Sequence, residues 1–146
     1  MNVDVTSEAV IDRPLEVVAE FAADPTNAPA WYENIESVEW QNDPPARVGS
    51  RVSFVARFLR RRLTYTYEVV ELDRHRRLVM RTAQGPFPME TTYTWTAQSA
   101  GSTRMTLRNR GKPSGFSVLV APFMSWAVRR ANAKDLTALK RILEED

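Results

Sequence analysis

Hydrophobic residues recur at every second position along most of this chain, and at helical spacing in two places, a short stretch after Asp12 and a long one at the C-terminal end. Residues 3–11 read as a strand with Val3, Val5, Ser7, Ala9 and Ile11 on one side. Asp12-Arg13-Pro14 then opens a helix, with Asp12 as the expected N-cap and Pro14 in the first turn. Leu15, Val18, Phe21 and Ala22 form its apolar stripe, and Asp24-Pro25 ends it. A second short helix, Asn27 to Glu33, presents Trp31 with Tyr32 beside it.

Six further strands follow. The first runs from Ile35 to Gln41 and ends at Asn42-Asp43-Pro44-Pro45. In the next, Val52, Phe54, Ala56 and Phe58 alternate with Arg51, Ser53, Val55 and Arg57. Leu63 to Leu72 carries Leu63, Tyr65, Tyr67 and Val69 on one face, and His75 sits in the turn after it. Leu78 to Thr82 is short and contains Met80; Arg81 can face either way. Met89, Thr91, Tyr93 and Trp95 alternate along another strand, which turns at Ser99-Ala100-Gly101-Ser102. Thr103, Met105, Leu107 and Asn109 line one side of the last strand.

From about Phe116 to Leu143 the spacing is helical. Leu119, Phe123 and Trp126 fall on one side, while Val128, Asn132, Leu136, Leu139 and Leu143 form a stripe rotated from the first. A kink or late start near Pro122 accounts for the offset. Consecutive strands joined by short turns imply an antiparallel sheet. One face alternates apolar and the other is charged, so one face is covered, and only the terminal helix is long enough to cover it. The expected architecture is therefore α+β: a curved antiparallel sheet of seven strands, two short helices after the first strand, and a long C-terminal helix. The length, 146 residues, suits a single domain.

The inward positions are bulky and partly polar. Tyr65, Tyr67, Tyr93 and Trp95 share them with Met80, Met89 and Met105. Buried hydroxyls and indole N–H groups need partners. Water or a ligand in a cavity supplies them on one reading; on the other, the aromatics pack densely and their polar tips reach the rim. A dry, empty cavity of ~300 Å³ would cost roughly 7 kcal/mol. A typical domain has only about 5–15 kcal/mol of stability. Any such pocket is therefore wet, filled or partly collapsed.

Charge and composition narrow the function classes. Net charge is +2, and the arginines cluster at Arg60-Arg61-Arg62, Arg74 with Arg76-Arg77, Arg108 with Arg110, and Arg129-Arg130. Carboxylates are interleaved with them, so a solvated outer sheet face is preferred to phosphate binding, and no nucleic-acid partner is expected. Cysteine is absent, which removes a disulfide framework, a thiol nucleophile and cysteine-ligated metal. The segment MNVDVTSEAV lacks the basic start and apolar run of a signal peptide. The longest uncharged run, Pro113 to Val128, has 16 residues and contains Pro122, short of the roughly 18 a spanning helix takes. A cytoplasmic location is the expectation.

Several short motifs, in order, make the chain resemble the polyketide cyclase/dehydrase-like (SRPBCC) branch of the START/Bet v 1 superfamily. They are Ile11-Asp12-Arg13-Pro14 with Glu16-Val17-Val18, Asp24-Pro25 followed by Pro29-Ala30-Trp31-Tyr32, Val48-Gly49-Ser50, Glu71-Leu72-Asp73, Gly101 through Thr106, and the tail Arg129-Arg130-Ala131-Asn132, Asp135-Leu136, Leu139-Lys140 and Leu143-Glu144. The resemblance spans nearly the whole chain and implies a helix-grip fold, with a sheet gripping the last helix around a cavity for hydrophobic molecules. It does not imply one activity, since the family includes lipid carriers, hormone and sterol binders and aromatase/cyclases.

Catalytic sets are not evident in the residues. His75, the one histidine, lies in an arginine-flanked turn, so neither a Ser-His-Asp relay nor a histidine metal site is expected. The five glycines are scattered, with no phosphate loop, and Glu68 and Glu90 fall on the outer face. No cofactor and no metal are expected. The favoured reading is binding or carriage of a small hydrophobic ligand such as a lipid, isoprenoid or polyketide. The alternatives are a polyketide cyclase or dehydratase acting without metal or nucleotide, in which tyrosine or arginine polarises carbonyls, and an interaction module with a vestigial pocket.

The candidate ligand wall comprises Phe54, Phe58, Tyr65, Tyr67, Met80, Met89, Thr91, Tyr93, Trp95, Met105, Leu107 and Asn109, closed by Trp31, Phe123, Trp126 and Asn132. Asn132 either faces the pocket or bonds a neighbouring strand. Phe116 to Trp126 either begins the gripping helix or forms an apolar lip that touches a membrane transiently, with Arg129 and Arg130 near headgroups; an exposed Phe123 or Met124 favours the lip. Oligomeric state is not legible.

Overall fold

The computed structural model describes residues 3–58, 60–85, 87–112 and 121–145. The strands are β1 (Val3–Ile11), β2 (Ile35–Trp40), β3 (Arg51–Phe58), β4 (Arg61–Asp73), β5 (Arg77–Gln84), β6 (Met89–Ser99) and β7 (Ser102–Gly111). They form one antiparallel sheet in the order β1-β7-β6-β5-β4-β3-β2. Two short helices, α1 (Leu15–Ala23) and α2 (Ala28–Trp31), follow β1, with a 3-10 turn at Pro25–Asn27 between them. The long helix α3 (Ala121–Glu144) crosses the concave face. The antiparallel sheet and covering helix expected from alternation, and the helix-grip fold that the resemblance implies, are observed. Phe116 and Leu119, placed in the same helix by spacing, lie outside the described residues.

The pleat sorts side chains as the alternation predicts. Val52, Phe54 and Ala56 are buried on β3, as are Tyr93 and Trp95 on β6 and Met105 and Leu107 on β7. The outer face carries matched charges: Arg51 with Glu68, Arg77 with Glu71, and Arg108 with Asp4. Arg81 resolves outward, its guanidinium 2.6 Å from Glu90. Thus each of these four arginines has a carboxylate facing it across the sheet or a turn. Register shifts in β2, between Ile35 and Ser37, and in β4, between Val69 and Glu71, help the sheet curl.

Two contacts correct the expected start of α1. Pro14, not Asp12, occupies its N-cap, and no side chain caps it. Asp12 and Arg13 instead clamp the far end of α3: the Asp12 amide donates to Glu144 at 2.7 Å, and the Arg13 guanidinium donates to the Leu143 carbonyl at 2.7 Å. A cation on those last carbonyls also opposes the negative end of the helix dipole. Lys140 adds a bond to the Val10 carbonyl at 2.7 Å. Leu136, Leu139 and Leu143 complete the core with Ile11, Met105 and Leu107. Nearer the start of α3, Met124 packs on Val3 and Val5. The helix is thus held tightly at its C-terminal half, and a gap remains beside its other half.

Candidate functional site

That gap is a cavity of about 180 Å³. Its strand side includes Phe54, Tyr65, Tyr67, Met80, Met89 and Tyr93. Ala22 of α1 and Ala28 of α2 form its floor, and Met124, Val128, Ala131, Asn132 and Asp135 of α3 close the other side. Small residues on the helices face large aromatics on the strands, and this mismatch leaves the space. Dry and sealed, it would cost about 4 kcal/mol at the cavity coefficient of roughly 24 cal/mol per Å³.

Polar groups enter this apolar wall in two sets. In the first, the Thr91 hydroxyl donates to Asn109 Oδ1 at 2.7 Å. Its single proton is thereby used, so the Tyr67 hydroxyl must donate to Thr91, at 2.8 Å. Asn109 Nδ2 donates onward to Asn132 Oδ1 at 2.9 Å, and Asn132 Nδ2 has no acceptor. Burial pushes the Tyr67 phenol up to about 12, despite the Thr91 bond, so it stays neutral.

In the second set the Tyr32 and Tyr93 hydroxyls lie 2.6 Å apart. One donates to the other, which leaves one phenolic proton over. Burial holds both well above the ordinary tyrosine value. Asp135, only 2% exposed, also lines the cavity. One of its oxygens accepts the Glu33 amide at 3.0 Å, tying the end of α2 to α3. Desolvation raises its carboxyl to about 7, the Glu33 amide opposing the shift. An acid poised near neutrality therefore sits among neutral phenols, in a wall where sequence reasoning found no base.

Nine of the residues expected to line the pocket do so: Phe54, Tyr65, Tyr67, Met80, Met89, Thr91, Tyr93, Asn109 and Asn132. Trp31, Trp95, Met105 and Leu107 are buried but stand behind the wall as core. The indole N–H groups of Trp31 and Trp95 find no partner. The Phe58 side chain lies outside the described residues. Phe123 and Trp126 do not close the cavity; they are 48% and 49% exposed. The rotation of α3 is the reason, since turning Met124 and Val128 inward carries Phe123 and Trp126 to the opposite side. Tyr32 and Asp135 were missed. Asp135 is three residues beyond Asn132 on the inward stripe, a signal the spacing already held. His75 is remote from the cavity and bonds Glu20 at 3.2 Å. Among the described residues no group of acidic, histidine or cysteine side chains is arranged to hold a metal, and no helix is long and apolar enough to cross a membrane.

The fold recurs among solved structures. The chain superposes on the protein TTHA0849 from Thermus thermophilus with a TM-score of 0.83 at 21% identity, covering 97% of each chain. The Zhui aromatase/cyclase from Streptomyces sp. R1128 gives 0.83 at 17% identity, covering 99% of this chain and 94% of that one. A START superfamily protein from Mycobacterium smegmatis gives 0.83 at 12% identity over 97% of each chain. No curated protein matches the sequence. The sequence model described as "Polyketide cyclase / dehydrase and lipid transport" matches residues 2–144. With a sheet gripping its last helix over a cavity and that match across nearly its whole length, the chain belongs to the polyketide cyclase/dehydrase and lipid transport family.

Proposed function

We propose that this protein is a cytoplasmic, single-domain carrier or sensor that binds a small hydrophobic molecule in the cavity beneath α3. The observation that carries the reading is the apolar cavity itself, about 180 Å³ in a chain this small. Close packing is the rule in protein interiors, and a void of that size is hard to retain without an occupant. Native mass spectrometry of protein purified from its own host tests this directly, with thermal shifts across a panel of lipids, isoprenoids and aromatic polyketides. A ligand at a hundred times its dissociation constant adds about 2.7 kcal/mol, a readily measured rise in melting temperature. A bare protein that no panel member stabilises would sink the carrier reading and leave an interaction module with a vestigial pocket.

Asp135 favours a second reading, an enzyme of the cyclase or dehydratase type. A carboxyl raised to about 7 is matched to proton transfer at neutral pH, and it shares the wall with phenols able to polarise a carbonyl. Turnover of a poly-β-ketone by the wild type, lost in Asp135→Asn, would establish it; binding without turnover returns the carrier.

Ligand exchange in the carrier reading takes place against a membrane. Phe123 and Trp126 pack with tilted rings, centroids 5.0 Å apart, on the outer side of α3, and the Arg130 guanidinium lies 5.5 Å over the Trp126 ring. Exposed aromatics beside exposed Arg129 and Arg130 suit the boundary between acyl chains and anionic headgroups.

A further inference from the structure

We infer that the ligand carries a carbonyl oxygen, and that Asn132 is the residue that reads it. The inference rests on the cavity being a binding site and adds the chemistry of what it binds. Hydrogen-bond direction is the argument. With the Asn109 and Asn132 amides oriented as they are, the chain Tyr67, Thr91, Asn109, Asn132 runs in one direction, each hydroxyl having one proton to give. Each donor atom in it meets the next acceptor until Asn132, whose Nδ2 meets none. The chain therefore ends on a surplus donor, and the group that completes it is an acceptor.

Burial sharpens this. Asn132 is 3% exposed, so its amide is not served by bulk water. All four members of the chain line the cavity, so the missing acceptor belongs there. Had the amide been needed only to bridge α3 to the sheet, its oxygen alone does that work through Asn109. The remaining wall of Phe54, Met80 and Met89 fits the apolar body of the same molecule. A carboxylate is a poorer candidate than a ketone or an ester: Arg110, the cation among the lining residues, is already paired with Glu90, and Asp135 lies three residues from Asn132 along the same helix.

The test compares two probes of nearly one shape, acetylnaphthalene and isopropenylnaphthalene, which exchange C=O for C=CH2. A purely apolar pocket favours the alkene, which is easier to remove from water. Binding is titrated to wild type and to Asn132→Leu, with Asn132→Met as the substitute should the leucine variant fail to fold. The ketone-to-alkene affinity ratio should fall about ten-fold on substitution, with alkene binding kept; ten-fold corresponds to roughly 1.4 kcal/mol. In wild type, the infrared stretch of a carbon-13-labelled ketone should lie below its position in hexane. An unchanged ratio, or a carbonyl stretch at the hexane position, would overturn the inference while leaving a binding site. If wild type binds neither these probes nor any member of the wider panel, the binding reading fails, and this inference with it.

Discussion

Asp135 should make the protein less stable as pH rises from acid to neutral, and Asp135→Asn should abolish that loss. The native carboxyl titrates near 7, against 3.8 for an unhindered aspartate. The folded state therefore binds the proton more tightly than the unfolded chain does. The stabilisation from protonation is fully present below the unfolded value and is lost as pH climbs through the folded one. Linkage across that shift gives a destabilisation of about 2 kcal/mol at pH 5 and about 4 kcal/mol at pH 8, so roughly 2–3 kcal/mol disappears between them. The groups acting on Asp135 are few. Tyr32, Tyr65 and Tyr93 stay neutral in this range, the Glu33 amide and Lys134 favour its ionisation, and the Glu33 carboxylate opposes it. Asp4, Glu20, Glu90 and Glu144 are all lowered, so their contributions are present above the ordinary carboxylate value, and being common to both proteins they cancel in the comparison. Asparagine retains an oxygen for the Glu33 amide and removes only the charge. Urea unfolding of both proteins at intervals from pH 5 to pH 8 reads the difference. Wild type should lose roughly 2–3 kcal/mol relative to the variant across the interval. Parallel stability curves would refute the reasoning and place Asp135 in ordinary solvent contact.

Three further outcomes follow from the packing. Ala22→Leu should fill part of the cavity from the α1 side and block binding of hydrophobic probes in titrations; unchanged affinity would move the site elsewhere. Leu139→Ala, at a position with no exposed surface in the grip between helix and sheet, should cost about 2–5 kcal/mol in denaturant unfolding, and a loss below about 1 kcal/mol would contradict close packing there. Phe123→Ser with Trp126→Ser should change stability by about 0.5 kcal/mol or less, yet weaken sedimentation with vesicles containing phosphatidylserine by about ten-fold; equal sedimentation would end the membrane reading.

The sheet was legible because its two faces differ in kind. Alternation in β3, β4, β6 and β7 places aromatics or leucines opposite arginines and threonines, and a strand cannot satisfy that pattern with any register but the one seen. Which buried residues line a cavity and which back it was not legible. Tyr93 and Trp95 share one face of one strand, but only Tyr93 reaches the space. What separates them is where α1 and α2 lie, a tertiary fact that period-two reasoning does not contain. The phase of α3 is an intermediate case. Two apolar stripes compete there, and the inward one is the stripe that contains Asn132. Taking that amide as a marker of the buried side would have placed Asp135 inside and Trp126 outside.

Position then becomes the strongest argument that the cavity has a use. A void, an ionisable carboxyl and an amide donor without an acceptor are each costly to keep inside a protein, by about 4 kcal/mol for the void if it were dry and sealed and about 1–3 kcal/mol for an unpaired donor. Scattered over the molecule they would read as independent imperfections. They are instead adjacent: Asn132 and Asp135 are one helical turn apart, and both line the same space. The opposite end of α3 shows no such tolerance, with Leu139 and Leu143 closely packed and the terminal carbonyl of Leu143 met by Arg13. The buried indole N–H groups of Trp31 and Trp95 also lack partners behind the wall, yet the void, the carboxyl and the amide meet at one place, and that coincidence argues for a site kept for something that enters it. Filling the space with an apolar ligand that also supplies a carbonyl to Asn132 would relieve two of the three together, which is why ligand-induced stabilisation and the carbonyl preference should appear in the same molecule or not at all.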